Sequence, residues 1–398
     1  MLTFDIFCEV IDNFGDIGVV YRFANELLNK YNKLNKDVKI RVFFNKTDEL
    51  TFLDSLAKNI DIQTLNNIDF ITFNYLEKNK ENIVPSNIIV EAFGYNIPDW
   101  YLEKAKVKSS LLINLEYLSC EEWILDFHLQ ESPLGAPKLK KFFFMPGLSE
   151  KSGGVILPSI NNVNYNTLYD YSKFLTSDFL SDKTVASIFT YEYNFENLFS
   201  HFNSLNKESV LLCLGEKTQV SIKYLLEKKY QFSNLDSSEY LGKFDKIHIL
   251  FIPFMSQIKY DSLLSLCDFN FVRGEDSFIR GVLSSKPFLW HAYLQEESAH
   301  LEKIKGFLTI YNNFFKPFNN NRIIEAENAY SEIMYKFNYR TFNSFEEKKE
   351  DGSLENFSLF FSNLQILTEM SKEFSKHIIS QCNLINKFVD FANNRVNY

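Results

Sequence analysis

The amino-acid sequence predicts an α/β protein made of two similar halves, each built on a largely parallel sheet. Short apolar runs alternate with helix-length segments along the chain, as they do in βαβ units. The alternation restarts after Phe144–Gly154, a stretch with the Pro and Gly content of a loop. A length of 398 residues also suits two domains.

The first strand and the first helix are the clearest elements. Leu2–Val10 is mostly apolar, and the helix that follows has an apolar face with a period near 3.6 residues. That face is predicted to comprise Val20, Phe23, Ala24, Leu27, Leu28 and Tyr31. Further strands are predicted at Val38–Phe44, Asn87–Phe93, Ser110–Leu118, Val185–Tyr193, Ser209–Glu216, Lys246–Phe254, Asp268–Gly274 and Lys286–Tyr293.

The restart of this pattern divides the chain into two predicted domains. The first covers residues 1–170 and is completed by a C-terminal helix at about residues 370–398, and the second covers residues 180–365. In α/β domains of this kind, ligands bind outside the carboxyl ends of the parallel strands. Functional side chains are therefore expected directly after strands.

Composition excludes several classes of function. The formal net charge is −9, and no Lys/Arg-rich stretch offers the basic patch that a nucleic-acid partner requires. The five widely spaced cysteines favour buried, reduced thiols in a cytoplasmic protein. No apolar run approaches the roughly 18 residues of a membrane span, and the N-terminus is strand-like rather than a signal peptide. We expect neither a nucleic-acid nor a membrane partner.

The first candidate site follows the first strand, where "IDNFGDIG" contains Asp12 and Asp16. Gly15 and Gly18 predict a tight turn into the helix, with close approach of the backbone to a ligand. Asp16 alone is equally well explained as the N-cap of that helix. A cap needs one carboxylate, however, and this turn has two.

The second candidate site is Arg273–Ser277, "RGEDS", which follows a strand and opens a helix. Backbone N–H groups at a helix start favour a phosphate, and Ser277 adds a hydroxyl. Glu275 and Asp276 suit the hydroxyl groups of a sugar better than a phosphate. Acidic residues in a first helical turn can also simply complement the helix dipole.

Weaker candidates lie after two other strands. Phe254 and Gln257 offer an aromatic face and an amide that suit a nucleobase, although on position alone ordinary loop and core packing is the better explanation. Tyr191 follows another predicted strand. The sequence contains no spacing typical of a zinc site, a serine hydrolase or a P-loop.

Taken together, several unusual motifs occur in a fixed order, above all "IDNFGDIG", "NLEYLSCEEW", "FFFMPG", "IPFMSQIKYDSLL" and "RGEDSF". Over roughly residues 4–300 the chain closely resembles the EarP family, protein-arginine rhamnosyltransferases that modify elongation factor P. It departs from the expected family pattern at Val20-Tyr21, Met255-Ser256 and Gly281-Val282-Leu283. None of these departures replaces a carboxylate.

The resemblance implies a GT-B fold, in which two Rossmann-like domains face each other across a cleft. It implies inverting transfer of L-rhamnose from dTDP-β-L-rhamnose to an arginine side chain of elongation factor P, without a metal or other cofactor. The modified factor would then rescue ribosomes stalled at polyproline. The acceptor would bind the N-terminal half and the donor the C-terminal half.

The resemblance also implies roles for individual residues. Asp16 matches the proposed general base, Asp12 a second essential carboxylate, and Glu116 a residue that helps to hold the acceptor arginine. Residues that match donor contacts are Tyr191, Phe254, Gln257, Arg273, Glu275, Asp276 and Ser277, and Glu275 is also counted as catalytic.

Three alternatives remain at this stage. A GT-B transferase for another nucleotide sugar or a small acceptor would keep the second motif, but would not need the paired acids. An epimerase on the same scaffold would differ in its product. A degenerate binding relative would have lost carboxylates that this chain retains, because Asp12, Asp16 and Glu275 are all present.

Overall fold

The computed structural model of the protein describes residues 1–11, 13–54, 56–157, 165–232, 240–318, 320–339 and 357–396. The chain forms two compact units. Unit 1 comprises Met1–Leu157 and Ile378–Tyr398, and unit 2 comprises Pro158–His377. The sequence placed the corresponding limits between residues 170 and 180 and near residue 370.

Unit 1 is an α/β layer structure on one sheet. Its strands are β1 (Leu2–Cys8), β2 (Val38–Phe44), β3 (Ile62–Leu65), β4 (Ile68–Thr72), β5 (Ile88–Ala92), β6 (Leu111–Leu115), β7 (Glu131–Ser132) and β8 (Lys140–Phe144). Its first helices are α1 (Asn13–Lys33), α2 (Thr47–Leu53), α3 (Phe73–Lys78), α4 (Asp99–Lys108) and α5 (Ile124–Phe127). In the described part of unit 1 the strand order is β3-β4-β2-β1-β5-β6-β8-β7, and all pairs are parallel except β3 with β4 and β7 with β8.

Unit 2 repeats this architecture with a smaller sheet. Its strands are β9 (Thr184–Ile188), β10 (Ser209–Leu214), β11 (Tyr240–Phe244), β12 (Ile247–Ile252), β13 (Phe269–Arg273) and β14 (Phe288–His291). Its helices are α6 (Ser177–Leu180), α7 (Glu196–Ser204), α8 (Glu216–Tyr230), α9 (Gln257–Leu266), α10 (Gly274–Leu283), α11 (Ala299–Phe315), α12 (Asn321–Asn338) and α13 (Phe357–Ser362). The next helix, α14 (Leu364–Gln381), begins in unit 2 and ends in unit 1, which resumes at Ile378. Short 3₁₀ segments occupy Tyr165–Tyr171, Glu296–Ser298 and Lys316–Phe318. The strand order is β11-β12-β10-β9-β13-β14 within the described residues, and only the β11–β12 pair among them is antiparallel.

The last helix, α15 (Leu384–Arg395), belongs to unit 1. Its Phe388 packs edge-on against Phe23 of α1, with ring centroids 5.0 Å apart. The predicted apolar face of α1 is confirmed, because all six of its side chains are buried in the same core as β1 and α15. Burial of that face holds the start of α1 against the end of β1.

The sequence missed β3, β4, β7, β8 and β11. The strands it did predict are all present: β2 has its predicted bounds, and the others end before their predicted last residue. Each missed strand is short or interrupts its apolar side chains with polar ones, so it lacks the continuous apolar run used for prediction. β8, for example, begins with Lys140 and Lys141, and Lys141 is paired with Glu91 of β5.

In each unit the parallel strands end on the same side of the sheet. We call this side, at the carboxyl ends of the strands, the carboxyl edge of the unit. β1, β5, β6 and β8 end at this edge in unit 1, and β9, β10, β12, β13 and β14 do so in unit 2. All five cysteines are buried and none of them forms a disulfide, as predicted. No helix in the described ranges is both long enough and apolar enough to cross a membrane.

Candidate active site

Asp16 lies in the first turn of α1, at the carboxyl edge of unit 1. The helix begins at Asn13, so Asp16 is not its N-cap, and Gly15 and Gly18 lie inside the helix. The predicted glycine turn is therefore wrong. The Asp16 carboxylate reaches back, and its Oδ2 accepts the backbone N–H of Ile11 at 2.9 Å. The Asp16 carboxylate thus satisfies a backbone N–H ahead of the helix, much as the acid of a capping box does.

Tyr117 is a site residue that the sequence reasoning missed. Its hydroxyl donates to Oδ1 of Asp16 at 3.0 Å. Its ring stacks on Phe93, with centroids 4.3 Å apart and planes at 14°. Phe93 has φ of +58°, a conformation that few non-glycine residues adopt. The available signal was the position of Tyr117 directly after Glu116 in "NLEYLS".

The Asp16 carboxylate is itself buried, with 3% of the residue exposed. Its negative charge affects the pKa of Cys8, the last residue of β1. Burial raises the pKa of the Cys8 thiol, and the charges of Asp16 and Glu9 raise it further. Asp16 is thus a shielded acid whose two carboxylate oxygens both accept hydrogen bonds from uncharged donors.

Glu116 directly follows β6 and lies at the same edge. Its Oε1 accepts a hydrogen bond from Nδ2 of the buried Asn114 at 2.8 Å. Below it, Lys141 donates to both carboxylate oxygens of Glu91, at 2.8 and 3.1 Å. Burial raises the pKa of Glu91, Lys141 opposes this shift, and Glu116 adds to it. Asp12 lies outside the described residues.

In unit 2, the second predicted motif forms the junction between β13 and α10. Arg273 is the N-cap of α10 and makes no side-chain capping bond, so the N–H groups of the first turn face the carboxyl edge. Gly274 has φ of +62°, and a Cβ there would lie 3.5 Å from the hydroxyl of Tyr191. Glu275, Asp276 and Ser277 follow in the first turn, as the sequence predicted.

Arg273 and Tyr191 are brought together at this junction. The guanidinium of Arg273 lies 4.2 Å from the ring centroid of Phe189 and 5.2 Å from that of Tyr191. It donates to the carbonyl of Thr190 at 3.0 Å. The ammonium of Lys217 lies 5.6 Å from the centroid of the same Tyr191 ring. Two cations therefore flank the tyrosine beside the start of α10.

Both acids of α10 have cations nearby. Lys303 of α11 donates to Oε1 of Glu275 at 2.9 Å. Arg280 follows Asp276 by one helical turn, and its Nε lies 3.7 Å from Oδ1 of Asp276. These cations reduce the repulsion that Glu275 and Asp276 would exert on an anionic ligand. The sequence did not suggest Lys303, which is 28 residues away in the chain.

The remaining donor candidates lie after β12. Phe254 is half exposed, and Gln257 is the first residue of α9. In the sheet, β10 and β9 lie between β12 and β13. The helix that follows β12 nevertheless contacts α10, because Tyr260 of α9 lies beside Ser277 of α10. Burial raises the pKa of Tyr260, and the Ser277 hydroxyl opposes that shift. All the predicted donor residues thus reach one edge of unit 2.

A metal-binding cluster is not evident in this arrangement. No group of three or more His, Cys, Asp and Glu side chains lies close enough together to hold a metal ion, as far as the described residues go. Among the described residues, the edge of unit 1 presents the acids Asp16 and Glu116, and the edge of unit 2 presents acids and cations around a helix start.

Comparison with known proteins identifies the family. A family model described as Elongation-Factor P (EF-P) rhamnosyltransferase EarP matches residues 4–393. The protein-arginine rhamnosyltransferase of Pseudomonas aeruginosa is 32% identical over 323 residues, covering 78% of this chain and 82% of the relative. The one of Shewanella oneidensis is 31% identical over 342 residues, covering 79% of this chain and 82% of the relative.

A solved structure on EarP-mediated arginine glycosylation of translation elongation factor EF-P matches the fold, with a TM-score of 0.61. It covers 100% of both chains at 20% sequence identity. The fold class is that of GT-B glycosyltransferases, as predicted. The chain belongs to the EarP family of protein-arginine rhamnosyltransferases, and it is a glycosyltransferase.

Proposed function

We propose that this member of the EarP family transfers L-rhamnose from dTDP-β-L-rhamnose to an arginine side chain of elongation factor P, with inversion at the anomeric carbon. Unit 1 would bind the acceptor and unit 2 the donor. The observation that carries the proposal is the buried carboxylate of Asp16, held at a carboxyl edge by Ile11 and Tyr117. The modified factor would then act on ribosomes stalled at polyproline.

The acceptor chemistry explains why acids are needed in unit 1. A guanidinium has a pKa above 12 and delocalised lone pairs, so it is a poor nucleophile. Carboxylates can bind it with charge-assisted hydrogen bonds and draw its positive charge away from the attacking nitrogen. Asp16 is the proposed base, and Asp12 and Glu116 are proposed to help hold the guanidinium.

The reaction is a single displacement. The guanidinium nitrogen forms a bond to C1 of rhamnose while the bond from C1 to the diphosphate oxygen breaks, so dTDP leaves. The nitrogen loses its proton to Asp16 during or after attack, because an aspartate is too weak a base to deprotonate the free guanidinium first. One displacement inverts the configuration at C1.

The leaving diphosphate develops charge that unit 2 is suited to stabilise. The N–H groups at the start of α10, the Ser277 hydroxyl and the Tyr191 hydroxyl are proposed donors, and Arg273 supplies a positive charge. Glu275 and Asp276 would accept hydrogen bonds from ribose or rhamnose hydroxyls. Phe254 and Gln257 would bind the thymine base by stacking and through the amide.

The proposal places the enzyme in the cytoplasm, where its acceptor works, and five cysteines without a disulfide suit a reducing compartment. It requires neither a metal nor another cofactor. The arginine side chain that the proposal names as the target is positively charged, which suits a chain of net charge −9.

Intact-mass analysis of elongation factor P tests the proposal. Incubation with the enzyme and dTDP-β-L-rhamnose is expected to add the mass of one deoxyhexose, and fragmentation should place it on an arginine. NMR of the modified peptide should show the α-anomer, as inversion requires. An unchanged mass under conditions in which the enzyme binds the donor would contradict the assignment of the acceptor.

A further inference from the structure

Unit 1 exposes aromatic side chains beside the candidate active site. Trp123 is 48% exposed and Phe127 is 46% exposed, whereas Ile124 between them is buried. The two rings meet edge-on with centroids 5.9 Å apart. The other two tryptophans of the chain are more enclosed, since Trp100 donates to Glu77 and Trp290 is buried. We call Trp123 and Phe127, with the neighbouring acids Glu122 and Asp126, the Trp123 surface.

Backbone hydrogen bonds and close packing hold in place the segment that carries the Trp123 surface. The segment that carries it begins at the end of β6 and is bonded to the end of β8 on both sides. The Ser119 N–H donates to the Pro146 carbonyl at 3.2 Å, and the Leu129 N–H donates to the Phe143 carbonyl at 2.8 Å. At Gly147, a Cβ would lie 2.6 Å from the Ile124 side chain. A surface fixed in this way loses little entropy when it binds a partner.

The charge of this segment has one sign. Residues 109–137 contain five acids, Glu116, Glu121, Glu122, Asp126 and Glu131, and no lysine or arginine. The one histidine, His128, stays neutral near pH 7, because burial and then the charge of Lys387 lower its pKa to about 4. Glu131 is paired with Lys140 of β8. Glu122 and Asp126, which flank the aromatic rings, are both exposed.

The surface is also continuous with the site. Tyr117, whose hydroxyl bonds to Asp16, is six residues before Trp123 and is itself 45% exposed. β1, β6 and β8 are parallel members of one sheet, so Asp16 and the segment joining β6 to β8 share its carboxyl edge. A protein whose arginine reaches Asp16 would therefore lie over this segment.

We propose that the Trp123 surface is the docking surface for the acceptor protein, and that it binds a basic, partly apolar face next to the target arginine. The proposal rests on the function proposed above. Trp123 and Phe127 supply the apolar contact, in keeping with the frequent use of tryptophan as an interface hot spot. Glu122 and Asp126 set the preference for a basic partner and speed its association.

The test compares Trp123→Ala with Tyr335→Ala, a matched removal of an exposed aromatic ring in unit 2. Trp123→Ala is expected to raise the KM for elongation factor P about 10-fold or more, with kcat and dTDP-rhamnose affinity within twofold of the wild type. Calorimetry with the acceptor alone should show the same loss of affinity. Tyr335→Ala should change none of these values.

A second variant, Glu122→Lys with Asp126→Lys, keeps the test independent of packing around Trp123. It is expected to weaken acceptor binding and to flatten the dependence of KM on salt. An unchanged acceptor KM in both variants would overturn the docking surface alone. If the wild-type enzyme transfers nothing to elongation factor P, the proposed function fails, and this proposal fails with it.

Discussion

The two carboxyl edges share one structural device but differ in the groups that bind its acid. In both, a parallel strand runs into a helix whose first turn carries an acid, Asp16 in unit 1 and Glu275 in unit 2. Asp16 is held by the Ile11 N–H and the Tyr117 hydroxyl, which are uncharged. Glu275 is held by the ammonium of Lys303.

This difference follows from the charge of the proposed ligands. A guanidinium is cationic, and a carboxylate such as that of Asp16 can bind it with charge-assisted hydrogen bonds. A carboxylate paired with a cation can lie near a diphosphate with much less repulsion. The Lys303 ammonium beside Glu275 therefore makes the unit 2 edge more suitable for an anion than Glu275 alone would indicate.

The largest expected effect is that of Asp16→Asn, which removes the charge and keeps an oxygen that can accept the Ile11 N–H. Turnover should fall by about 100-fold to 10,000-fold, the usual contribution of a general base. Affinity for dTDP-rhamnose, measured by calorimetry, should be retained. Turnover near that of the wild type would remove Asp16 from the chemistry and with it the central contrast between the two edges.

Phe254→Ala tests the donor side. Loss of one stacking ring should weaken dTDP-rhamnose binding by about 10-fold in calorimetry. Ser277→Ala should also weaken it, through the loss of a hydroxyl donor to the diphosphate. The matched control is Phe318→Ala, which removes another exposed phenylalanine of unit 2. Equal donor affinity in the Phe254 and Phe318 variants would show that β12 does not lead to the base site.

Tyr117→Phe separates the hydrogen bond from the aromatic stack. The variant keeps the ring on Phe93 and removes the hydroxyl that donates to Asp16. A hydrogen bond to a charged group is typically worth roughly 1.5–3 kcal/mol, so kcat should fall by about 10-fold or more if the bond orients the base. The KM for donor should not change. A rate equal to that of the wild type would mean that the Tyr117 hydroxyl is not needed to orient Asp16.

Lys303→Met tests whether the cation beside Glu275 helps unit 2 to bind the donor. It leaves Glu275 without its cation, so the KM for dTDP-rhamnose should rise by about threefold, as expected for a partly exposed ion pair. Lys303→Arg should restore the wild-type value. A donor KM that is the same in all three proteins would assign Lys303 a purely structural role.

The smallest effect concerns acid tolerance in unit 1. Nδ1 of His128 accepts the Met145 N–H at 3.2 Å, and burial, with a smaller effect of Lys387, lowers the pKa of this histidine to about 4. The unfolded chain therefore binds more protons between pH 6.5 and 4, and stability should fall as the pH decreases through that range.

His128→Asn keeps an acceptor for the Met145 N–H without the titration. The melting temperature of the variant minus that of the wild type should be roughly 2 °C larger at pH 5 than at pH 7. A difference that stays constant with pH would contradict the assigned pKa.

Parts of the fold were predictable because they are local. The apolar face of α1 and the apolar runs of β1, β2 and β10 show in the sequence, since a buried helix face and a buried strand each impose a short period. The exact start of α1 was not predictable. α1 begins at Asn13, and the Asp16 side chain reaches back to Ile11, a contact that glycine spacing does not reveal.

The sequence by itself determined which residue types stand after which strands, and hence the acids of "IDNFGDIG" and the helix start of "RGEDSF". It also carried enough distinctive motifs to identify the family. Only the tertiary structure decided the partners of those acids. Tyr117 reaches Asp16 across 101 residues and Lys303 reaches Glu275 across 28. Such pairs are set by strand order and helix packing, which bring distant residues together without leaving a local pattern in the sequence.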